Sequence, residues 1–317
     1  MIKREDLHRN LLKALEKKVP DKKELIEMLM EMLFMEKGAV YRRLRGEVPF
    51  TFFEVARIAE KLNIPVNHFI YSDDEQIYRF EITEYTNMND KLFNDYMSLI
   101  KRAKNDPHSE FAETANVLPV SILTGFETLT KFYMFKHQYL FRGTESRIPF
   151  SKYNYSEQTK RVFKSYFHET KYFANTIHVW DYLIIRYLVT DVKFFHTINL
   201  ISVNEMLQIK TDLYALLDYI EQTTLSGCFK ETGKPVSFHI SDTNFDADYC
   251  CVHIDDVYVS HVKSFILNSV QSFDKTAYQK ITNWISSLKK ASTLITKSGA
   301  VFRTEFFEKQ RMIVAEL

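Results

Sequence analysis

Between Lys37 and Arg45 the chain sets Lys37, Arg42, Arg43 and Arg45 on nine positions with no acidic residue among them, and Gly46 follows. Val40 and Leu44, four apart, fall on one side of a helix and can seat it on a core. Arg42 and Arg45 then lie away from that side, and Lys37, Ala39 and Tyr41 fall largely outside the apolar stripe. Guanidinium forks on such a surface can address guanine edges or clamp phosphates, and a helix fits a major groove about 12 Å wide. The helix start near Glu36 adds free backbone N–H groups able to meet a phosphate, and Gly46 reads as the C-cap. The chemistry these residues suit is contact with double-stranded DNA.

Presenting that helix requires a small scaffold, and the flanking residues supply one. Leu7, Leu11, Leu12 and Leu15 recur at helical spacing within residues 3–18. After the break at Val19-Pro20-Asp21, a second helix is marked by Leu25, Ile26, Leu29, Met30 and Leu33, with Asp21 as its cap. Phe34 and Met35 turn the chain into the basic helix. Beyond Gly46-Glu47-Val48-Pro49, Thr51 caps a fourth helix bearing Val55, Ala56, Ile58, Ala59 and Leu62, and a fifth is predicted from Pro65.

This order of short helices resembles the Cro-type, or XRE-like, helix-turn-helix family over about residues 5–70. The resemblance implies that Leu25 to Leu33 is a positioning helix and Glu36 to Arg45 a recognition helix. It assigns base contact to Glu36, Lys37, Ala39, Tyr41 and Arg42, and backbone contact to Arg45 and Thr51. Three positions depart from the family pattern. Met30 stands where a small residue is usual and Phe34 where the turn has a glycine. Arg43 occupies the place of the second recognition-helix core residue, with the apolar Leu44 coming one later.

Charge gives little help to this reading. The 317 residues carry 42 Lys/Arg and 41 Asp/Glu, a formal net charge of +1, so no global field draws the chain to nucleic acid. Residues 1–65 hold 14 Lys/Arg against 11 Asp/Glu. One such module would bind weakly and with strong salt dependence, whereas a dimer could read two half-sites one helical turn apart. A homodimer is therefore expected.

The remaining 240 or so residues, in a chain that is 45% hydrophobic, can form a sizeable core. The expected fold is mainly α. An N-terminal five-helix bundle (1–72) leads to a central helical sensing or dimerisation region (73–226), then to a small α+β region (227–317) that can pack with it as one domain. The polar step Tyr71-Ser72-Asp73-Asp74-Glu75 marks the first boundary. Helices are predicted over 88–104, 109–117, 121–140, 155–173, 178–196 and 202–223, with a loop over 141–155. Alternation in 236–240, 249–254 and 257–262 predicts a three-stranded antiparallel sheet, covered by helices over 275–291 and 303–315. The aromatic residues, 15% of the chain, read mainly as core.

His239, Cys250, Cys251, His253 and His261, with Asp242, Asp246, Asp248, Asp255 and Asp256 nearby, could be weighed as metal ligands. Adjacent cysteines on a strand face opposite ways, and the zinc and calcium spacings are lacking, so no metal or other cofactor is expected. With seven glycines, no phosphate-cradling loop and no nucleophile elbow, no enzyme is expected either. Three cysteines make no disulfide framework. Met1 to Arg4 lead into a charged helix rather than a signal-peptide core, and the apolar run Tyr182 to Thr190 is interrupted by Arg186. A cytoplasmic, non-membrane setting is expected. The sequence is read as a dimeric transcriptional regulator whose C-terminal region senses a small-molecule or peptide effector. The alternatives are a helix-turn-helix-shaped protein-interaction module or scaffold and, behind it, an enzyme with an unrecognised C-terminal site.

Overall fold

A computed structural model of the chain describes residues 4–62, 64, 80–82, 91–141, 147–263 and 269–317. Its contacts divide the chain into two compact units, Met1–Ile77 and Tyr78–Leu317.

In the first unit the described helices are α1 (Arg4–Lys18), α2 (Lys22–Leu33), α3 (Lys37–Leu44) and α4 (Phe52–Leu62). The predicted fifth helix from Pro65 and the polar step at Tyr71–Glu75 lie outside the described residues. Local signals explain where the four begin. The Asp21 carboxylate accepts the amides of Lys23 and Glu24, each at 2.8 Å, and so caps α2. Thr51 and Glu54 form a reciprocal capping box at α4: the Thr51 amide donates to Glu54 Oε2 at 2.8 Å, and the Glu54 amide donates to Thr51 Oγ1 at 3.3 Å. Leu11, Leu15, Leu29, Val40 and Ile58 meet in one small core, the stripe their spacing predicts.

The second unit is built on a sheet larger and differently wired than the predicted one. Eight described strands run in the order β1 (Glu81–Ile82), β7 (Ser269–Ser272), β6 (Val257–Lys263), β5 (Tyr249–Ile254), β2 (Glu110–Ala115), β3 (Asn175–Asp181), β4 (Val236–Ser241), β8 (Thr293–Leu294). β2, β3 and β4 are parallel, and the other pairings are antiparallel. Three expectations are corrected. Residues 109–117 form β2 and not a short helix. Residues 178–196 divide into the end of β3 and α9 (Arg186–Thr197). Val236–Ile240 leaves the expected three-stranded meander to pair in parallel with β3, while β5, β6 and β7 form the antiparallel part.

The reason lies in burial on both faces. On one side Ala115, Trp180, Phe238 and Ile240 join the core made with α7 (Glu127–Phe141), α9, α10 (Val203–Ser226) and α12 (Ala300–Ala315). On the other, Val179 and Cys251 pack with Tyr278, Ile285 and Leu288 of α11 (Lys275–Lys290). Strands covered on both faces lose the polar alternation that identifies a half-exposed strand. The last two helices thus belong to different cores, where both had been expected to cover one face. Three further helices, α5 (Lys91–Arg102), α6 (Val120–Leu123) and α8 (Glu157–Glu169), complete the described set.

Candidate nucleic-acid interface

Helix α3 is seated by Val40, which is 1% exposed, and by the half-buried Leu44. At its end Arg45 is the C-cap, and Gly46 takes the left-handed conformation (φ 76°), its amide donating to Arg43 O at 3.0 Å. His8 approaches to 3.3 Å of where a side chain on Gly46 would begin, a second reason for glycine there.

The candidate contact residues do not fall into one class. Glu36 is the N-cap of α3 but makes no side-chain cap bond. It, Lys37, Arg42, Arg45 and Thr51 are exposed, whereas Ala39 and Tyr41 are half-buried. The Tyr41 ring packs against the small core and presents only part of itself outward. Thr51 spends its oxygen on the Glu54 amide, which leaves its hydroxyl proton able to donate. Arg42 and Arg45 both reach Glu47, with Nε to carboxylate distances of 3.7 and 2.8 Å, so the same carboxylate stands over both guanidinium groups.

Arg43 has another fate. Its Nε and Nη2 donate to Glu54 Oε2 and Oε1 at 2.9 and 2.8 Å, a bidentate pair with both side chains largely buried. Burial raises the Glu54 pKa, but the Arg43 guanidinium and the Thr51 amide outweigh it and hold the carboxyl below its ordinary value. The departure at Arg43 thus has a physical account: an ion pair ties α3 to α4 at that position. Phe34 is accommodated in a similar way. It adopts left-handed angles (φ 53°, ψ 48°) as the C-cap of α2, and its ring, 79% exposed, clashes with nothing inside. The Arg57 guanidinium lies 4.8 Å from the Phe34 ring centre and 5.6 Å from that of Phe53.

These four helices carry a recognisable arrangement. Residues 7–100 match the BetR domain family. The chain thus has an N-terminal BetR-type domain, a small helix-turn-helix-like regulatory domain. The match extends beyond the first compact unit into α5. No curated protein and no solved structure matches the chain. The BetR-type domain is regulatory, not catalytic, and is consistent with DNA as a partner.

The residues weighed as metal ligands are scattered by the sheet. Cys250 packs on one face and Cys251 on the other. Burial raises the pKa of both thiols, that of Cys251 to about 12. His253 stacks on Tyr258, 4.5 Å between ring centres, and its Nε2 lies 2.9 Å from Asp255 O. Burial and then Lys289 push the His239 pKa down to about 4, and neither of its buried ring nitrogens meets a partner. Among the described residues no group of three or more His, Cys, Asp or Glu is placed to hold a metal ion. Nor is any described helix long and apolar enough to cross a membrane.

Two polar constellations in the second unit were not foreseen. In one, Glu113 Oε1 lies 2.8 Å from His178 Nδ1 and accepts Ser121 Oγ at the same distance. A serine nucleophile needs its proton on the imidazole, but here hydroxyl and imidazole share one carboxylate. His178 Nε2 is buried without a partner, and its ring stacks on Phe238 at 4.5 Å. The second gathers Lys136, Asp191, Asp248 and Lys263 around a cavity. Neither announces itself locally, because each joins residues from separate strands and helices.

Proposed function

We propose that the protein is a sequence-specific DNA-binding transcriptional regulator whose Cro-like N-terminal domain sets α3 in the major groove. The observation that carries this reading is the outward placement of Lys37, Arg42 and Arg45 on a helix held by Val40 on its opposite side. In this reading Glu36, Lys37, Ala39, Tyr41 and Arg42 meet base edges, and Arg45 and Thr51 hold phosphates. A dimer supplies the second half-site, since so few cationic contacts give one module little affinity. The C-terminal unit supplies the dimer contact and senses an effector, and the protein works in the cytoplasm at promoter DNA.

The test is selection from randomised duplex DNA by the full-length protein at near-physiological salt, beside an Arg42→Ala/Arg45→Ala variant. The expected result is a two-fold-symmetric site that the variant no longer recovers. Absence of enrichment by folded protein would move the assignment to a protein-binding module. That second reading has its own support in the exposed rings of Phe34, Phe52 and Phe53, a surface more typical of protein contact than of groove contact.

A further inference from the structure

The second unit contains a cavity of about 550 Å³, within the size range of small-molecule sites. It opens beyond the carboxyl end of β2, between α7, α9, the residue preceding β5 and the last residue of β6. This is where the strand order reverses, β3 and β4 following β2 on one side and β5 lying on the other. Open α/β sheets bind ligands at such reversals, outside the carboxyl ends of the strands.

Its walls have two characters. Leu118, Leu123, Phe132 and Leu188 are apolar, and Leu140 and Tyr187 continue the lining with side chains that remain exposed. Against them stand two ammonium groups. Lys136 donates to Asp191, which leaves two of its protons uncommitted. Lys263 stands 3.6 Å from Asp248 Oδ2, too far for a good hydrogen bond. Asp248, whose Oδ2 faces Lys263, also accepts the backbone amide of Asn116 on Oδ1 at 2.7 Å. Burial lowers the Lys263 pKa, and the positive charge of Lys136 lowers it further against the opposing pull of Asp248. Tyr133 also lines the cavity, and its buried hydroxyl has no partner.

We propose that this cavity binds a small amphipathic carboxylate, its apolar body against Leu118, Phe132 and Leu188 and its carboxylate on the ammonium groups of Lys136 and Lys263. Asp191 and Asp248 each face one of the two ammonium groups, and a ligand carboxylate that bridges Lys136 and Lys263 takes up the ammonium protons those pairs leave uncommitted. An alcohol of the same length lacks the charge, and an alkylammonium ion finds the carboxylates of Asp191 and Asp248 already facing Lys136, Lys263 and the Asn116 amide. The binding step stands apart from the DNA reading; only its use as an effector site rests on that reading.

Calorimetric titration of the full-length protein, without DNA, tests the binding step, with decanoate as the probe and 1-decanol and decyltrimethylammonium as comparators. Decanoate is expected to bind saturably at one site per chain, at least tenfold more tightly than either comparator. Lys263→Gln is expected to weaken it by roughly 10- to 100-fold, the range for losing a charge-assisted contact. Because Lys263→Gln leaves Asp248 without its cation, Lys136→Gln and the cavity-filling Leu188→Trp are measured beside it. No saturable decanoate binding overturns the proposal. So does equal affinity for the three probes, or an affinity unmoved by Leu188→Trp and Lys136→Gln in folded protein. DNA occupancy that ignores a decanoate the cavity binds removes the regulatory role and upholds the site.

Discussion

Replacing Arg43 with alanine separates the residues that hold α3 in place from those proposed to contact DNA. Arg43 makes two charge-assisted hydrogen bonds to Glu54, with the two side chains 16% and 9% exposed. Removing one partner of a buried pair typically costs about 3–5 kcal/mol, because the other charge stays behind without compensation. Residual solvent contact and the Thr51 amide on Glu54 reduce this, so we expect about 2–3 kcal/mol, or roughly 30- to 160-fold in a local opening equilibrium. Hydrogen exchange of the α3 and α4 amides in the full-length protein reads this directly. Arg43→Met/Glu54→Leu is expected to recover part of the loss in α3, since apolar partners need no mutual neutralisation, while the start of α4 stays weakened because the Thr51 amide loses its acceptor. The pH dependence carries a second signature. The folded Glu54 pKa lies below its ordinary 4.5, so the pair contributes fully above that value and is lost as pH falls through the folded pKa. Arg43→Ala should flatten that acid loss. Unchanged exchange in Arg43→Ala, together with a DNA defect like that of Arg42→Ala, would refute the assignment of Arg43 to the scaffold.

Glu47→Gln should free Arg42 for base edges and Arg45 for phosphate. Such exposed pairs are worth roughly 0.2–1 kcal/mol each, so fluorescence anisotropy on the selected site should show a gain of roughly 2- to 30-fold per chain, fading at high salt. Tyr133→Phe removes a hydroxyl that is buried without a partner and should raise the stability of the second unit by roughly 1 kcal/mol in denaturant titration; a loss of that size would show the hydroxyl to be satisfied in solution. His239 has a folded pKa of about 4 against an ordinary 6.5, so its contribution is present above 6.5 and declines as pH falls toward 4, by at most roughly 3 kcal/mol. His239→Leu should flatten that part of the pH–stability curve, and an unaltered curve would show that the imidazole is hydrated in the folded protein.

The helices of the first unit were legible because their signals are local. A capping aspartate, a capping-box threonine, a closing glycine and a 3.6-residue apolar period each act within a few positions, and each sits where it was expected. The strands β2 and β3 were not legible for the converse reason. Glu113 and His178 are both buried and meet across two adjacent strands, so polarity no longer marks the outward side. Asn175–Asp181 also runs into the apolar stretch that begins α9, and the joined segment imitates one long helical period. The cavity is further from reach still. Lys136 and Lys263 come from a helix and a strand more than a hundred positions apart, and only the β2–β5 pairing brings their elements to one end of the sheet.

Arg43 lies between these cases and shows what a departure from a pattern can carry. A charged residue at a core position of a recognition helix reads in isolation either as one more DNA contact or as a fault in the alignment. Glu54, eleven positions later in the first turn of α4, turns it into neither. The carboxylate serves the Thr51 amide and the Arg43 guanidinium at once, so the cap of α4 and the seat of α3 depend on one side chain. That sharing gives the outward face of α3 a fixed orientation on α4 without a second large apolar residue beneath it. It also predicts that Glu54→Gln, which keeps the shape and removes the charge, disturbs α3 and the start of α4 together. Exchange at the amides of both elements should rise by a similar factor; a rise confined to α4 would mean that Leu44 and Val40 hold α3 without the ion pair.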